Sequence, residues 1–379
     1  MNINILNDLN EEEKIWVEAE SNNLDKNIFV SYVWVKNYWE YYKKKNKNNF
    51  MCDKKLCIYV AKDGAEVVFI LPLALMMHNI LGYNICKLQF IAHPHANYNS
   101  FIMTNYKKSK KALDLILLDI NKNLNNVNCF TLSDIPENSY SKMILDSQFE
   151  TRNFDSRLLN NSYYVNLPDS YELYLQNLGK NMRRNIKRWN KKAEKYFNVT
   201  FLKYDEIGSI EESLKLFYEL HRIRFPGTSI FNNMELQDFH HKIANDFAEK
   251  DMLELFFLMF DGEPVSAVFG YEYYNKLYDY SCCHNPYFAK FSPGRLAFSH
   301  LLQYSIKKGY NEFDFLRGDY HYKKLYGVST RKSFDYNITT KNTSKLLQDT
   351  LNNPRVRRFI TFTRRTNKQL RESARWMGV

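Results

Sequence analysis

Apolar runs and turn residues alternate in the same way at two places in the chain. Each place holds an apolar run, an Asp-Gly pair and a second apolar run, as in LCIYVAKDGAEVVFILPLAL at residues 56–75 and ELFFLMFDGEPVSAVFGYEY at residues 254–273. The Asp-Gly pairs at 63–64 and 261–262 predict hairpin turns, because glycine accepts the positive φ that tight connections need. Two similar hairpins indicate a duplicated domain.

A helical stretch precedes each hairpin, at residues 11–45 and residues 210–249. Helices followed by antiparallel strands predict a mixed α/β layer fold in both halves. A chain of 379 residues is also long enough for two units of ordinary size. We therefore expect a first domain at residues 1–168, a connecting helix at 169–196, a second domain at 197–340 and a basic tail at 341–379.

The second half continues as strand, helix, strand and polar loop. The pattern predicts a strand at 277–284, a helix at 294–309, a strand at 311–316 and a loop at 317–327. Ser292 is the expected side-chain cap of the helix, because serine oxygens accept bonds from the first helical N–H groups. Pro293 suits the first helical position and Gly309 the end.

Basic residues recur at helical spacing between the two halves. They are Lys180, Arg183, Arg184, Lys187, Arg188, Lys191, Lys192 and Lys195. All eight fall on one face, and apolar residues project from the opposite side, which predicts an amphipathic helix packed on the protein. The basic face is interpreted either as a solvated helix surface or as a surface that follows phosphates. It lacks the interleaved aromatic residues that sequence-independent nucleic-acid binding favours.

Composition narrows the class of protein. Hydrophobic residues make up 45% of the chain and aromatic residues 16%, which excludes a disordered protein. The net charge of +11 favours partners that carry phosphate, such as nucleotide cofactors, tRNA, lipid headgroups or sugar nucleotides. The six cysteines form no Cys-x-x-Cys pair and have no histidine at metal-ligand spacing, so we predict neither a zinc site nor a disulfide framework.

The sequence also bears on location. The first 20 residues are polar and acidic, unlike a secretory signal. The longest apolar run, residues 67–77, is about half of the ~20 residues that a membrane span needs. We therefore expect a cytoplasmic protein with reduced thiols. Contact with a membrane surface is not predicted, and the oligomeric state is not determined.

The start of the helix after Ser292 is a candidate anion site. Its first backbone N–H groups have no partner within the helix, and Arg295 lies beside them. The candidate donor-binding residues for a pyrophosphate are Ser292, Gly294, Arg295 and Leu296. An ordinary helix start is the alternative interpretation.

Six short motifs carry a resemblance to a known family. They are Asp261-Gly262-Glu263-Pro264-Val265, Ser292-Pro293-Gly294, Gly309-Tyr310-x-x-Phe313-Asp314-Phe315-Leu316-Arg317-Gly318-Asp319, Tyr322-Lys323, and in the first half Phe29-Val30-Ser31-x-x-Trp34 and Ile70-Leu71-Pro72-Leu73. The chain resembles the CelD-like acetyltransferases, a branch of the GNAT superfamily related to the FemABX peptidyltransferases. The resemblance covers about residues 15–340.

The resemblance implies tandem GNAT folds, each a mixed, mainly antiparallel sheet flanked by helices, with the active site in the second half. It further implies that an acyl group moves from acyl-CoA, either acetyl-CoA or a longer one, to an amine or hydroxyl of a sugar or cell-envelope precursor. Members of the superfamily typically carry Arg/Gln-x-x-Gly-x-Gly/Ala at the pyrophosphate loop, whereas residues 290–295 contain one glycine.

Two further hypotheses stay open. FemABX relatives use aminoacyl-tRNA, and their active-site lysine has a context similar to Tyr322-Lys323, which makes a tRNA-dependent aminoacyltransferase the first alternative. The second alternative is a non-catalytic binding protein that keeps the fold.

The loop after the last core strand supplies the candidate catalytic groups. Acyl transfer needs a proton acceptor, a stabiliser of the oxyanion and positioning of both substrates. Asp319 is the candidate base, Tyr322 the candidate acid or hydrogen-bond donor, and Lys323 the candidate charge for the oxyanion or for an acceptor phosphate. A plain polar loop with an Asp-Lys surface pair is the alternative.

Other candidate residues lie outside that loop. Arg317 is a candidate for a phosphate or carboxylate, and His221 and Arg224 are candidates for the acceptor side of the cleft. The segment His93-Pro94-His95 lacks a third ligand, so a metal is not expected there. The vicinal Cys282 and Cys283 are expected to be core residues.

Overall fold

The computed structural model describes residues 1–10, 13–46, 52–80, 83–124, 126–149 and 154–339. The predicted basic tail at 341–379 lies outside these residues. The strands are β1 Asn2–Leu6, β2 Cys52–Asp63, β3 Glu66–Ile80, β4 Tyr83–Phe90, β5 Ile102–Met103, β6 Cys129–Pro136, β7 Phe154–Asn166, β8 Val199–Lys203, β9 Leu253–Phe260, β10 Glu263–Glu272, β11 Lys276–His284, β12 Glu312–Arg317 and β13 Ser329–Ile338. The helices are α1 Glu13–Ser21, α2 Tyr32–Asn46, α3 Tyr106–Asn123, α4 Tyr140–Phe149, α5 Tyr171–Asn177, α6 Lys180–Glu194, α7 Ile210–Arg224, α8 Met234–Ala248 and α9 Pro293–Lys307.

The two halves repeat one order of elements. Apart from the two-residue strand β5 between β4 and α3, the first half runs β1-α1-α2-β2-β3-β4-α3-β6, and the second runs β8-α7-α8-β9-β10-β11-α9-β12. Both predicted hairpins are confirmed: β2 joins β3 and β9 joins β10 through turns in which Gly64 and Gly262 have positive φ. The predicted helical stretches each consist of two helices. In the second half Pro226 and Gly227, which has a φ of +71°, lie between them.

The strands of both halves form one continuous sheet. Its order is β1-β2-β3-β4-β6-β13-β7-β12-β11-β10-β9-β8, with β5 beside β3. Neighbours are antiparallel except for β4 with β6 and β11 with β12, which are parallel and occupy equivalent places in the two halves. The predicted fold, duplicated mixed sheets that are mainly antiparallel and flanked by helices, is confirmed.

Each half gives one strand to the other half's side of the sheet. Strand β7 pairs with β12, and β13 pairs with β6, so the two strands cross over and meet each other at the centre. Their shared ladder extends from Ser329 opposite Tyr164 to Ile338 opposite Phe154. The proposed domain limit at residue 168 falls just after β7, and the limit at 197 falls between α6 and β8.

Helix α9 organises the packing of the second half. It lies on β9, β10 and β11, and α5 and α6 pack on its outer side. The predicted apolar side of α6 is confirmed, because Met182, Ile186, Trp189 and Ala193 are buried in the same core cluster as α9. No helix in the described part of the chain combines the length and apolar character needed to cross a membrane.

A buried ionic network joins the halves at the central strands. Arg331 of β13 donates to Asp314 of β12 at 2.7 Å and to both carboxylate oxygens of Glu312, the nearer at 2.7 Å. Tyr98 of the first half donates to Asp314 at 3.0 Å. Burial raises the pKa of the Asp314 carboxyl, and the charge of Arg331 opposes that shift. The network therefore holds β12, β13 and the first half in one arrangement.

We expect Asp314→Ala to lower the free energy of unfolding by about 3–5 kcal/mol, because it leaves Arg331 buried beside one carboxylate instead of two. Urea denaturation of the full chain measures this. The control is Glu40→Ala, which removes the partner of Lys242 in an exposed ion pair of 2.6 Å and is expected to leave the urea midpoint nearly unchanged. Equal decreases in the free energy of unfolding in the two variants would show that the buried network stabilises the fold no more than an exposed ion pair does.

Candidate active site between strands β11 and β12

The candidate site lies where two parallel strands stop pairing. Strand β11 pairs with β12 only from Lys276 to Tyr278, opposite Glu312 to Asp314. Just beyond, the register of β11 against β10 shifts around Tyr280, and Gly270 lies opposite the shift. A Cβ at Gly270 would approach the carbonyl oxygen of Tyr278 to 2.4 Å, so this position requires glycine. Beyond Tyr278 and Asp314, strands β11 and β12 no longer pair, and the gap between these two strands receives the side chains described below.

Lys323 fixes the end of β12. Its ammonium donates to the carbonyl oxygens of Phe315 at 2.7 Å, Leu316 at 3.1 Å and Arg317 at 3.0 Å. The side chain is 3% exposed, and burial lowers the pKa of the ammonium. An ammonium has three N–H donors, and all three are used by the backbone. Lys323 is therefore placed to hold the strand end rather than to reach an oxyanion, and its predicted catalytic role stays a prediction.

Tyr322 reaches into the gap. Its hydroxyl lies 3.7 Å from Sγ of Cys282, and its ring stacks on Phe298 of α9 with centroids 5.5 Å apart. Burial raises the pKa of the Tyr322 hydroxyl, so the group keeps its proton at neutral pH. A protonated hydroxyl in this place suits the predicted role of acid or hydrogen-bond donor. Cys282 is also protonated, because burial raises the pKa of its thiol to about 12.

Asp319 lies at the surface outside the gap. It pairs with Lys324 at 2.7 Å, accepts a hydrogen bond from Tyr163 at 2.7 Å and is 59% exposed. These two bonds lower the pKa of the Asp319 carboxyl, chiefly through Lys324. A carboxylate with a lowered pKa is a weak base. The geometry is that of the Asp-Lys surface pair, and the assignment of Asp319 as the base stays a prediction that this arrangement does not favour.

Asp279 is the titratable group that the sequence analysis missed. It follows Tyr278, the last residue of β11 that pairs with β12, is 5% exposed, and its Oδ1 has no hydrogen-bond partner among the described residues. Burial raises the pKa of Asp279 to about 7, with Lys323 opposing the shift and Asp314 adding to it. A base that titrates near neutral pH is well matched to proton abstraction. The available signal is an acidic residue between two tyrosines inside the predicted strand 277–284.

The start of α9 borders the same gap. Ser292 has a φ of +56° and its side chain makes no capping bond, so the predicted side-chain cap is wrong. A capping residue normally has extended backbone, and the left-handed conformation turns the hydroxyl away from the helix N–H groups. The N–H of Leu296 bonds to the Ser292 carbonyl at 3.0 Å, and its side chain is fully buried. Of the predicted set, the N–H groups of Gly294 and Arg295 therefore stay open for an anion.

Residues around the helix start add charge. His284, at the end of β11, has its Nδ1 3.2 Å from where a Cβ of Gly294 would lie. The guanidinium of Arg295 lies over the Trp189 ring at 5.5 Å. Arg224, at the end of α7, lowers the pKa of His284 after the larger effect of burial, which places its positive charge near the gap. Arg224 and Arg295 thus give this side of the molecule a positive potential.

The two other predicted residues, His221 and Arg317, lie in different places relative to the gap. His221 is 6% exposed among aromatic side chains, its Nδ1 lies 2.8 Å from the Ser229 hydroxyl, and burial lowers its pKa to about 4. Arg317 donates to the carbonyl of Pro94 at 2.7 Å and lies 3.4 Å from Asp134, so it bridges the two halves. His221 is therefore separate from the gap, whereas Arg317 borders it through the adjoining end of β12.

The equivalent helix start in the first half is closed. The side chain of Asn105 accepts a hydrogen bond from the N–H of Lys108 and so caps α3. Only the second half, within the described residues, combines an uncapped start of this helix with a buried carboxyl on the neighbouring strand. No group of three or more His, Cys, Asp or Glu in the described part of the chain is arranged to hold a metal ion.

Comparison with known proteins bears on the fold and on one segment of the chain. Residues 180–324 match the family model described as Acetyltransferase (GNAT) domain. The crystal structure of FemX aligns over 90% of this chain and 98% of its own, with a TM-score of 0.60 and 13% identity. A conserved protein of unknown function from Bacteroides thetaiotaomicron VPI-5482 aligns over 89% of this chain and 100% of its own, with a TM-score of 0.55 and 12% identity. No curated protein matches the sequence.

A tandem GNAT protein from the clavulanic acid biosynthesis pathway aligns over 88% of this chain and 97% of its own, with a TM-score of 0.45 and 8% identity. The matched segment extends from the first residue of α6 to the loop that carries Tyr322 and Lys323. The match of residues 180–324 to a GNAT acetyltransferase domain supports an acyltransferase in general terms. Domains of this kind generally use acyl-CoA donors.

The pKa of Asp279 predicts a pH-dependent effect on stability. The folded-state pKa of about 7 lies above the unfolded value of 3.8, so the ionised carboxyl destabilises the fold increasingly between about pH 4 and pH 7. We expect Asp279→Asn to raise the free energy of unfolding at pH 8, by on the order of a few kcal/mol, and to have little effect at pH 4.

Urea denaturation between pH 4 and pH 8 measures this. The control is Asp319→Asn, whose effect above pH 4 should have the opposite sign, because its ion pair lowers the pKa of the carboxyl. The pKa assignment of Asp279 is wrong if its variant shows the same difference from wild type at both ends of the range.

Proposed function

We propose that the protein transfers an acyl group from acyl-CoA to an amine or hydroxyl of a sugar or cell-envelope precursor, as in the CelD-like acetyltransferases. The observation that carries the proposal is the buried carboxyl of Asp279, which titrates near neutral pH in the gap between β11 and β12. The protonated hydroxyl of Tyr322 and the open start of α9 border the same gap.

The start of α9 suits the pyrophosphate of the donor. The N–H groups of Gly294 and Arg295 and the positive end of the helix dipole favour an anion there. The Gly294 position leaves room that any side chain would narrow, because its Cβ would lie 3.2 Å from His284. This backbone approach explains how one glycine can serve where the superfamily usually has two. Bound in this way, the donor supplies a thioester carbonyl directed toward the strand gap.

Asp279 and Tyr322 then divide the proton transfers. Asp279 accepts the proton from the acceptor amine or hydroxyl as its nitrogen or oxygen attacks the thioester carbon. The new C–N or C–O bond forms, the C–S bond breaks, and Tyr322 donates its proton to the leaving thiolate. Exchange with solvent afterwards removes the proton from Asp279 and restores the one on Tyr322. The direct attack uses both substrates bound together and needs no covalent enzyme intermediate.

The acceptor side is proposed from charge. Arg224 forms no ion pair with any described residue, and it lies close enough to His284 to affect its pKa. Arg317 lies at the contact between the two halves, next to the end of β12. These two residues suit an acceptor that carries phosphate or carboxylate.

The tRNA-dependent alternative relies on Tyr322-Lys323. Because the Lys323 ammonium is buried and donates to three backbone carbonyls, it has no N–H left for a tRNA phosphate or an oxyanion. We therefore place acyl-CoA ahead of charged tRNA as the donor.

Donor binding is tested with a pair of glycine variants at helix starts. We expect acetyl-CoA or a longer acyl-CoA to bind wild type saturably in calorimetric titration, and Gly294→Trp to weaken binding at least about tenfold by blocking the open N–H groups. The control is Gly179→Trp at the start of α6, where a Cβ meets nothing within 4 Å. Absence of binding at every chain length would overturn the donor assignment. Binding of charged tRNA instead would favour the aminoacyltransferase, and binding of neither donor the non-catalytic protein.

The two candidate bases are compared by kinetics. We expect Asp279→Asn to lower kcat/KM by about 10²–10⁴-fold and to remove the rise in rate around pH 7, since the protonated form of the carboxyl cannot accept a proton. Asp319→Asn should leave the pH profile unchanged, because the Asp319 carboxyl is already ionised well below pH 7. The reverse result would make Asp319 the base.

A further inference from the structure

Helix α6 presents an exposed row of cations, which we call the α6 basic face. It consists of Lys180, Arg183, Arg184, Lys187, Arg188, Lys191, Lys192 and Lys195. Arg183 is half-buried and the other seven are exposed. None of the eight forms an ion pair with a carboxylate among the described residues, although the chain holds 42 acidic residues. A face of this charge without internal partners favours an external polyanion.

The contacts of the basic face are neutral. Arg184 and Arg188 donate to the side chains of Asn181 and Asn185 at 2.9 Å, one turn back along the helix. Lys192 donates to the carbonyl of Lys290 at 2.7 Å. These bonds orient the side chains while leaving their full charge uncompensated. These three side chains are therefore oriented before any partner arrives.

The shape of the face limits what it can bind. The 15 residues of α6 extend for ~22 Å, and the helix is convex, with its apolar side buried against α9. Residues of α6 line neither the cavity around Tyr98 and Arg331 nor the cavity around Tyr218 and Gln237. Sites for single-stranded nucleic acid combine a basic groove with rings interleaved along it, whereas Trp189, the aromatic residue within α6, is 4% exposed, so no ring of the helix interleaves with its cations. A broad, flat anionic surface fits a convex row of cations better than a strand that must be cradled.

Exposed tyrosines flank one end of the basic face. Tyr196 lies two residues after the end of α6 and is 60% exposed, and its ring centroid lies 5.8 Å from that of Phe291. Tyr287, in the same short helical turn as Phe291, is 83% exposed. Tyrosine is enriched where protein meets the headgroup layer of a membrane, because its ring is apolar and its hydroxyl is polar. Cations in a row with tyrosines at the edge are the pattern of a surface that lies on lipid headgroups.

We propose that the α6 basic face docks the protein on an anionic lipid surface. The apolar side of α6 faces the protein core, so the attachment is electrostatic and does not insert the helix. Because Arg295 lies over Trp189 on the inner side of α6, docking brings the start of α9 close to the lipid plane. The sequence did not predict this contact, and it does not depend on the identity of the acyl donor.

The test is sedimentation of the full-length protein with vesicles of phosphatidylcholine alone or with 30% phosphatidylglycerol. The variant is Arg184→Gln, Lys187→Gln, Arg188→Gln and Lys191→Gln combined, which removes four exposed charges of the face. The control removes four exposed charges from the first half, as Lys14→Gln, Lys107→Gln, Lys111→Gln and Lys122→Gln combined. Thermal unfolding verifies that each variant folds, and two double variants, at 184 with 187 and at 188 with 191, replace the quadruple one if it does not.

We expect wild type to bind the anionic vesicles and not the neutral ones, with affinity that falls as salt is raised. Each charge near a lipid surface contributes roughly fivefold, so the α6 variant should bind more than about 100-fold more weakly. The control should keep most of its affinity. Equal losses in variant and control, or no binding of wild type to anionic vesicles, would overturn the proposal. It is also overturned if a tRNA mixture at equal phosphate concentration displaces wild type from the vesicles and the α6 variant fails to bind that tRNA.

Discussion

The arrangement of the two halves in this fold depends on the buried ion pair between Arg331 and Asp314. Both groups are buried, and a buried charge is tolerated only when its partners are in place. Those partners come from three separate parts of the chain: Tyr98 from the first half, β12 from the second, and β13 from the strand that crosses back. The charges are satisfied together only if β7 and β13 have exchanged sides. The strand register at the centre of the sheet therefore depends on these ion pairs as well as on backbone hydrogen bonds.

The position of the gap between β11 and β12 depends on that network. Asp314 is the last residue of β12 that pairs with β11, and the chain then bends at Leu316, which has a positive φ. A leucine in this conformation is strained, and the three carbonyls around the bend are held by the buried ammonium of Lys323. Asp279 is buried by the same packing and has its pKa raised by it. The packing that makes the fold specific therefore also sets the protonation state of Asp279, the group best placed to accept a proton.

Local patterns account for what the sequence predicts well here. The two Asp-Gly hairpins, the limits of α9 near Pro293 and Gly309, and the buried side of α6 all follow from residues close together in the chain. The exchange of β7 and β13 does not, because it depends on pairing between Tyr164 and Ser329, far apart in sequence. The positive φ of Ser292, the inward direction of Lys323 and the raised pKa of Asp279 likewise arise from tertiary packing. The Tyr322-Lys323 motif indicated the correct loop, but which of its residues keep polar atoms available depends on how the loop is buried.

The strand exchange has a consequence for how the protein is made. Strand β6 has β4 on one side, but its other neighbour, β13, ends at Ile338 and is the last described strand to be synthesised. Until that segment leaves the ribosome, the first half presents an unpaired strand edge, and unpaired edges invite association with other chains. The centre of the sheet also forms only after residues far apart in the sequence come into contact, and such contacts slow folding. During translation, the edge of β6 at the centre of the sheet therefore stays unpaired until almost the whole described chain has been synthesised.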